Sequence, residues 1–333
     1  GMPDHGALAM KRFLLVSTLA VNYRVVDARG ATYLRANDST LLTHFPMIMT
    51  HDAGSGYLDS SLVDRWAKTQ DGGLAEQLEC GARAFDARPH NSLTDGLQWH
   101  HGDVVVAHQF DHSLEEMIQW LASHPTELAT LHIWDCAGDG CESAVLAVLT
   151  NRNITTIADC ARLQTLMYGE AKEIGALAGG GSLLALTGSS GCSQDNYDPS
   201  IACSGYTSGD SDDSKRNDTR ESGLPREYGC WITDESRALP VDRIFSYLDE
   251  VAALGLREDR FMQMQGLWQE SGASVVIGAR RNSSLLLDES RSNLNGKLVD
   301  AVRQGRWSSI GLLEVNNVCD HGNALLDALR GRD

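Results

Sequence analysis

The sequence predicts an α/β fold built as a single (β/α)8-type barrel, and three observations carry that expectation. Short apolar runs alternate with amphipathic stretches along the chain, the pattern of a parallel sheet covered by helices. About eight such runs fall within roughly 290 residues, which suits a barrel better than an open sheet. The composition is that of a globular chain long enough to bury a large core: 333 residues, 42% hydrophobic and 22% charged.

Taken in order, residues 1–42 are an extension expected to pack on the barrel, and residues 43–333 are the barrel itself. Residues 10–21, MKRFLLVSTLAV, read as a basic-then-apolar leader or equally as an N-terminal strand. The run 46–50 is the first barrel strand and ends at His51. Residues 84–88, 104–107, 128–134, 183–186, 260–264, 275–277 and 310–315 supply the others. Amphipathic helices are expected over 73–79, 114–123, 240–254 and 293–304. The helix at 114 opens after Ser113 with Glu116 three residues on, a capping box. Pro240 suits a first helical position, where its missing N–H costs nothing. Residues 187–229 are rich in Gly, Ser and Asp and read as a long loop insertion, of the length of lids and binding loops.

Charge and cysteine content narrow the function classes. The formal net charge is −17, which repels phosphate backbones and excludes nucleic acid as a partner. An anionic substrate must then be held by a local positive group. The eight cysteines contain no CxxC pair, so zinc and thioredoxin-like roles are weak. Their even number, with Cys136 near Cys141 and Cys192 near Cys203, favours disulfides and a secreted protein. Sequons at Asn37, Asn153, Asn217 and Asn282 agree with that compartment.

Three short features carry chemistry. His51-Asp52 closes one strand, Asp86-Ala87-Arg88 closes another, and His101-Gly102 follows shortly after. Strand ends converge on one face of a barrel. Two histidines and an arginine meeting there form a phosphoryl-transfer constellation. One imidazole takes a proton from the nucleophile, the other gives one to the leaving group, and the guanidinium stabilises charge on phosphorus.

The stretches THDAGS (50–55), LAEQLECGARAFDAR (74–88) and HHGDVVVAHQFDHSLEEMIQWLASHPTELATLHI (100–133) resemble the two histidine motifs, and the segment between them, of the phosphatidylinositol-specific phospholipases C. IGLLEVNN (310–317) resembles that family's last barrel strand. The resemblance implies a distorted TIM (β/α)8-type barrel of the phospholipase-C-like phosphodiesterase kind. It implies an enzyme that cleaves phosphatidylinositol, or a related inositol phospholipid, to diacylglycerol and an inositol cyclic phosphate. His51 would be the general base on the inositol 2-hydroxyl and His101 the general acid. Asp52 would pair with His101, and Arg88 would hold the phosphate. Glu314 would orient His51 where bacterial members carry an aspartate. Asp86, Asp135 and Trp231 would line the substrate site, and Trp99 and Trp231 are candidate bilayer contacts. Arg88 stands where animal members carry a calcium ligand, so no metal and no cofactor are expected. A Ca²⁺ requirement is the alternative that Asp52, Asp86 and Asp135 keep open. The remaining expectations are a monomer that touches the membrane surface transiently. A metal-dependent phosphodiesterase acting on glycerophosphodiesters or sphingomyelin, and a non-catalytic headgroup-binding barrel, are the competing readings.

Overall fold

The computed structural model describes residues 24–26, 32–34, 36–59, 61, 64–194, 241–268, 275, 279 and 282–331. Trp231, Cys203, Cys230, most of the 1–42 extension and most of the 187–229 insertion therefore lie outside the described residues. In the extension, β1 (Arg24–Val26) pairs antiparallel with β2 (Thr32–Leu34).

The centre of the molecule is an eight-stranded parallel sheet. Its strands are β3 (Met47–Thr50), β4 (Ala84–Ala87), β8 (Leu128–Ile133), β9 (Thr155–Ile157), β10 (Ser182–Leu186), β11 (Ser193–Gln194), β12 (Phe261–Gln265) and β13 (Leu312–Val315). They run in the order β11-β12-β13-β3-β4-β8-β10-β9. Strands such as SLLAL and LATLHI are buried along their whole length. That is why they read as continuous apolar runs and not as alternations.

The sheet curls on itself. His132 on β8 reaches across the interior, its Nδ1 standing 2.8 Å from Ser193 Oγ on β11, five places away in the strand order. The curl leaves a seam, because β9 and β11 end the order and do not pair with each other. Cys160, just after β9, is bonded to Cys192, just before β11, so a disulfide crosses the seam where a hydrogen-bond ladder would close a regular barrel. The arrangement is a distorted α/β barrel.

Alternation along each strand sorts the apolar residues into two cores. Met47, Met49, Ala84, Leu128, Leu184, Leu186 and Leu312 fill the interior. Ile48, Phe85, Ala129, Leu131, Leu183, Ala185 and Leu313 face the surrounding helices. Helix Leu294–Arg303 shows how those helices dock: Leu294, Leu298, Ala301 and Val302 recur at helical spacing and are all buried.

Several sequence expectations need correction. Residues 104–107 do form a strand, β7 (Val104–Gln109), but not in the barrel. With β5 (Pro89–Ser92) and β6 (Gly96–His101) it makes a separate antiparallel sheet, inserted directly after β4. Short hairpin connections allow antiparallel pairing without a crossover helix. Val275 is helical, and the rest of the 275–277 segment lies outside the described residues. The places of these two segments in the barrel are taken by β9 and β11, three and two residues long and too short for a periodicity. The helix expected from Leu114 starts a turn earlier, spanning Phe110–Ser123. Ser113 is therefore inside it, and its hydroxyl accepts from Trp99 Nε1 at 2.9 Å and does not cap the helix. Trp99 itself is fully buried, a core residue and not a bilayer contact.

Cys136–Cys141 is a disulfide as the spacing suggested. Cys192 pairs with Cys160 and not with Cys203. Cys80–Cys319 joins the start of the barrel to its end across 239 residues.

Candidate active site

The same alternation that fills the barrel interior delivers its polar mouth. On β3 the inward series Met47, Met49 continues to His51, and on β4 Ala84 is followed by Asp86 and Arg88. On β13 the series is Leu312, Glu314, Asn316. Each strand thus turns from apolar to ionisable at its C-terminal end, where the rungs converge.

His51 is almost fully buried, 4% exposed. Its carbonyl accepts from Thr69 Oγ1 at 2.7 Å and from Gln70 Nε2 at 3.1 Å, which fixes the backbone beneath the ring. Gln70 Nε2 also donates to the Val315 carbonyl at 2.9 Å, locking β3 to β13. Nδ1 of the ring lies 2.9 Å from Asn316 Oδ1, and Nε2 lies 3.2 Å from Asp52 Oδ2. Burial pushes the His51 imidazole below its ordinary 6.5, more than the neighbouring Asp52 carboxylate pulls it up.

Asp52 is the hub. Its backbone takes a left-handed conformation, φ 44°, which aspartate tolerates better than most residues. Its N–H donates to Asp86 Oδ2 at 2.9 Å. Its carboxylate meets three cationic or protonatable groups: Arg88 Nε at 2.8 Å, and the Nε2 atoms of His51 and His101, each at 3.2 Å. None of the three is aligned as a hydrogen bond, so Asp52 acts on them through its charge. Burial alone would raise its carboxyl, but Arg88, His101 and His51 outweigh burial and hold it below the usual carboxylate range.

Arg88 is held from three sides. Asp52 takes Nε, Asp86 Oδ2 accepts from Nη2 at 2.8 Å, and the Trp134 ring lies under the guanidinium with 4.4 Å from Cζ to the ring centre. The Trp134 indole N–H in turn donates to Asp86 Oδ1. Burial works against the Arg88 charge, but Asp52 and Asp86 more than offset it, so the side chain remains a fixed cation.

His101 comes to this cluster from β6 of the antiparallel sheet and not from a barrel strand. Its ring is a quarter exposed, with Nδ1 donating to the Ala67 carbonyl at 2.6 Å and Nε2 on Asp52. Nδ1 is thus committed to a backbone acceptor, and Nε2 is at ion-pair distance from Asp52 Oδ2. The two imidazole centres are 6.1 Å apart. Gly54, in the turn after Asp52, is required for packing: a Cβ there would stand 2.4 Å from the Trp99 ring.

His51, Asp52, Asp86, Arg88 and His101 are therefore one cluster. Glu314 is buried close by and adds its charge to the field on Arg88, but the residue on His51 Nδ1 is Asn316. Register explains the change: Glu314 pairs with Met49 and Val315 with Thr50, so Asn316 is level with His51. Glu314 sits two residues deeper, roughly 6.6 Å along the strand. Asp135 is exposed, outside the cluster, and bound through its carbonyl to His100 Nε2 at 2.6 Å. Asn316, Trp134, Thr69 and Gln70 were not singled out from the sequence. The inward alternation on β8 and β13 would have reached the first two.

His51, Asp52 and Asp86 bring one ligand atom each within 4.8 Å of one another. Arg88 is nevertheless bound to both carboxylates at 2.8 Å. The position between them holds a guanidinium, and the residues do not fit a cation there.

No family model matches the chain. Over 93 residues it is 32% identical to 1-phosphatidylinositol phosphodiesterase from two Staphylococcus aureus strains, Newman and NCTC 8325 / PS 47. That stretch is 28% of this chain and 30% and 28% of those relatives, so the match spans less than a third of their length. The fold is similar to that of a double-mutant phosphatidylinositol-specific phospholipase C from S. aureus, with a TM-score of 0.57 and 16% identity over 88% of this chain and 94% of the other. It is likewise similar to the enzyme of the same name from Listeria monocytogenes, with a TM-score of 0.55 and 14% identity over 89% and 96%.

Proposed function

We propose, from the premise that this chain is a relative of the bacterial phosphatidylinositol-specific phospholipases C, that it is a phosphodiesterase. Its substrate is phosphatidylinositol or a related inositol phospholipid, cleaved to diacylglycerol and an inositol cyclic phosphate. The observation that carries the reading is a single carboxylate oxygen, Asp52 Oδ2, 3.2 Å from Nε2 of two histidines, on a carboxylate that also pairs with the half-buried Arg88.

In the first step Nε2 of His51 accepts the proton of the inositol 2-hydroxyl. The hydroxyl oxygen attacks phosphorus, and the bond from phosphorus to the diacylglycerol oxygen breaks. Nε2–H of His101 protonates that departing oxygen. Each proton transfer is worth about 10²–10⁴ in rate. Arg88, already a pre-oriented cation, neutralises charge gathering on the phosphoryl oxygens and needs no reorganisation to do so. Asp52 pairs with His101 Nε2 at 3.2 Å. Asp86 holds Arg88, while Asp135 and Trp231 are assigned to substrate contact.

No metal is assigned a role, because the arginine supplies the charge. The protein is taken to be a secreted monomer: three disulfides suit an oxidising compartment, and no helix among the described residues is long and apolar enough to cross a membrane. Its contact with the bilayer is transient, and its acidity excludes nucleic acid.

Incubation with phosphatidylinositol vesicles followed by ³¹P NMR tests the reading. Cyclic inositol phosphate should appear at the same rate with and without EDTA. Loss of turnover in EDTA would move the protein to the metal-dependent phosphodiesterases. Binding without turnover would leave a headgroup-binding barrel.

A further inference from the structure

The Asn316 amide has two possible orientations, and its surroundings allow one. Its Nδ2 donates to the Trp268 carbonyl at 3.0 Å and to Glu289 Oε1 at 2.8 Å, and both of those atoms can only accept. Oδ1 is therefore the atom that faces His51, at 2.9 Å from Nδ1. An amide oxygen only accepts, so His51 Nδ1 must carry the proton. In the neutral ring Nε2 is then left with its lone pair, directed toward Asp52 and the mouth. Glu289 is itself fixed: it lies on helix Leu285–Ser292, is 2% exposed, and its Oε1 also accepts from the Trp268 N–H at 2.8 Å.

From this chain of contacts we infer that Glu289 is a positioning residue for proton abstraction: together with the Trp268 carbonyl, whose own residue it holds through the Trp268 N–H, it fixes the face of the Asn316 amide and so the tautomer in which His51 can act as a base. The inference rests on the general-base assignment of His51 made above. Nothing in it requires Glu289 to touch substrate. Donation runs one way, from the ring through the amide to the helix, and turning the Asn316 amide over would place the proton on Nε2, where it blocks abstraction. Asn316 differs from a carboxylate at the same place in one respect. It orients the ring without adding negative charge of its own, and its orientation is settled by its two acceptors, the Trp268 carbonyl and the Glu289 carboxylate.

The test pairs ¹⁵N NMR of the His51 ring, at a pH where it is neutral, with steady-state kinetics on phosphatidylinositol. Wild-type His51 should be the Nδ1–H tautomer. E289A leaves the Trp268 carbonyl, itself loosened, as the one remaining acceptor for the amide; it should raise the share of the Nε2–H ring and lower kcat by about 10- to 100-fold with KM little changed, the scale of a misplaced catalytic group. E289Q keeps a carbonyl oxygen that can accept both hydrogen bonds and should restore the tautomer and most of the rate. An Nε2–H ring in the wild type would overturn the inference, as would an E289A protein with unchanged tautomer and unchanged kcat. Should E289A fail to fold, E289L, which fills the same buried space without an acceptor, takes its place in both measurements. A tautomer that shifts in E289A, in a protein inert toward phosphatidylinositol, would sink the substrate assignment and leave the positioning role of Glu289 standing.

Discussion

His51 and His101 share one carboxylate oxygen at one distance, yet they occupy different regions of the molecule. His51 is on the floor, sealed by β3 and β13, with only 5% of its side chain exposed, while His101 is on the rim, carried by an inserted hairpin, with 24% exposed. On the floor, Nδ1 meets an amide held by a helix. On the rim, it meets a backbone carbonyl, that of Ala67. Burial disfavours the charged ring at His51, whereas His101 has access to solvent. The difference teaches that a shared counter-ion does not make two imidazoles equivalent; their depth and their second partner are what the proposed division into base and acid rests on.

The largest expected effects come from deleting either ring. His51→Ala and His101→Ala should each lower kcat for phosphatidylinositol by about 10²–10⁴-fold with thermal stability little changed at His101. Arg88→Lys keeps the charge but loses the planar fork that engages two carboxylates. It should cost about 10²-fold or more in kcat, measured in the same assay. A pH profile sharpens the contrast between floor and rim. Because burial lowers the His51 pKa, its neutral, basic form persists below pH 6.5, so the acid limb of kcat/KM should have its midpoint below the 6.5 of an ordinary imidazole. Acidification through that midpoint protonates the base and abolishes abstraction; a limb well above 6.5 would assign the base elsewhere. The smallest effect is expected from Trp134→Leu. It removes the ring under Arg88, a contact worth about 0.5–2 kcal/mol, and should lower kcat/KM by about ten-fold or less.

The sequence made the floor more legible than the rim. Parallel strands buried on both faces announce themselves as apolar runs, and β3, β4, β8, β10, β12 and β13 all lie under such runs. His51, Asp52, Asp86 and Arg88 were legible because they sit where those runs stop. The hairpin that carries His101 was misjudged, since the β7 run looks the same whether its partners are parallel or antiparallel. Strands of two or three residues hold no period to detect. Asn316 was missed in favour of Glu314 because the two share a face of β13, and only the pairing of Glu314 with Met49 decides which is level with His51. Cys192 was matched to its near neighbour in sequence, whereas curling of the sheet brings it to Cys160. Register and curl are tertiary properties, and local pattern does not encode them.

The division of labour between the two rings is tested most directly by changing the leaving group. A nitrophenyl ester of inositol phosphate departs without needing a proton, so an acid is dispensable for it while a base is not. His101→Ala should recover most of the wild-type rate on that substrate, and His51→Ala should remain as impaired as on phosphatidylinositol. Equal recovery in both variants, or recovery in His51→Ala alone, would contradict the assignment of base to the floor and acid to the rim.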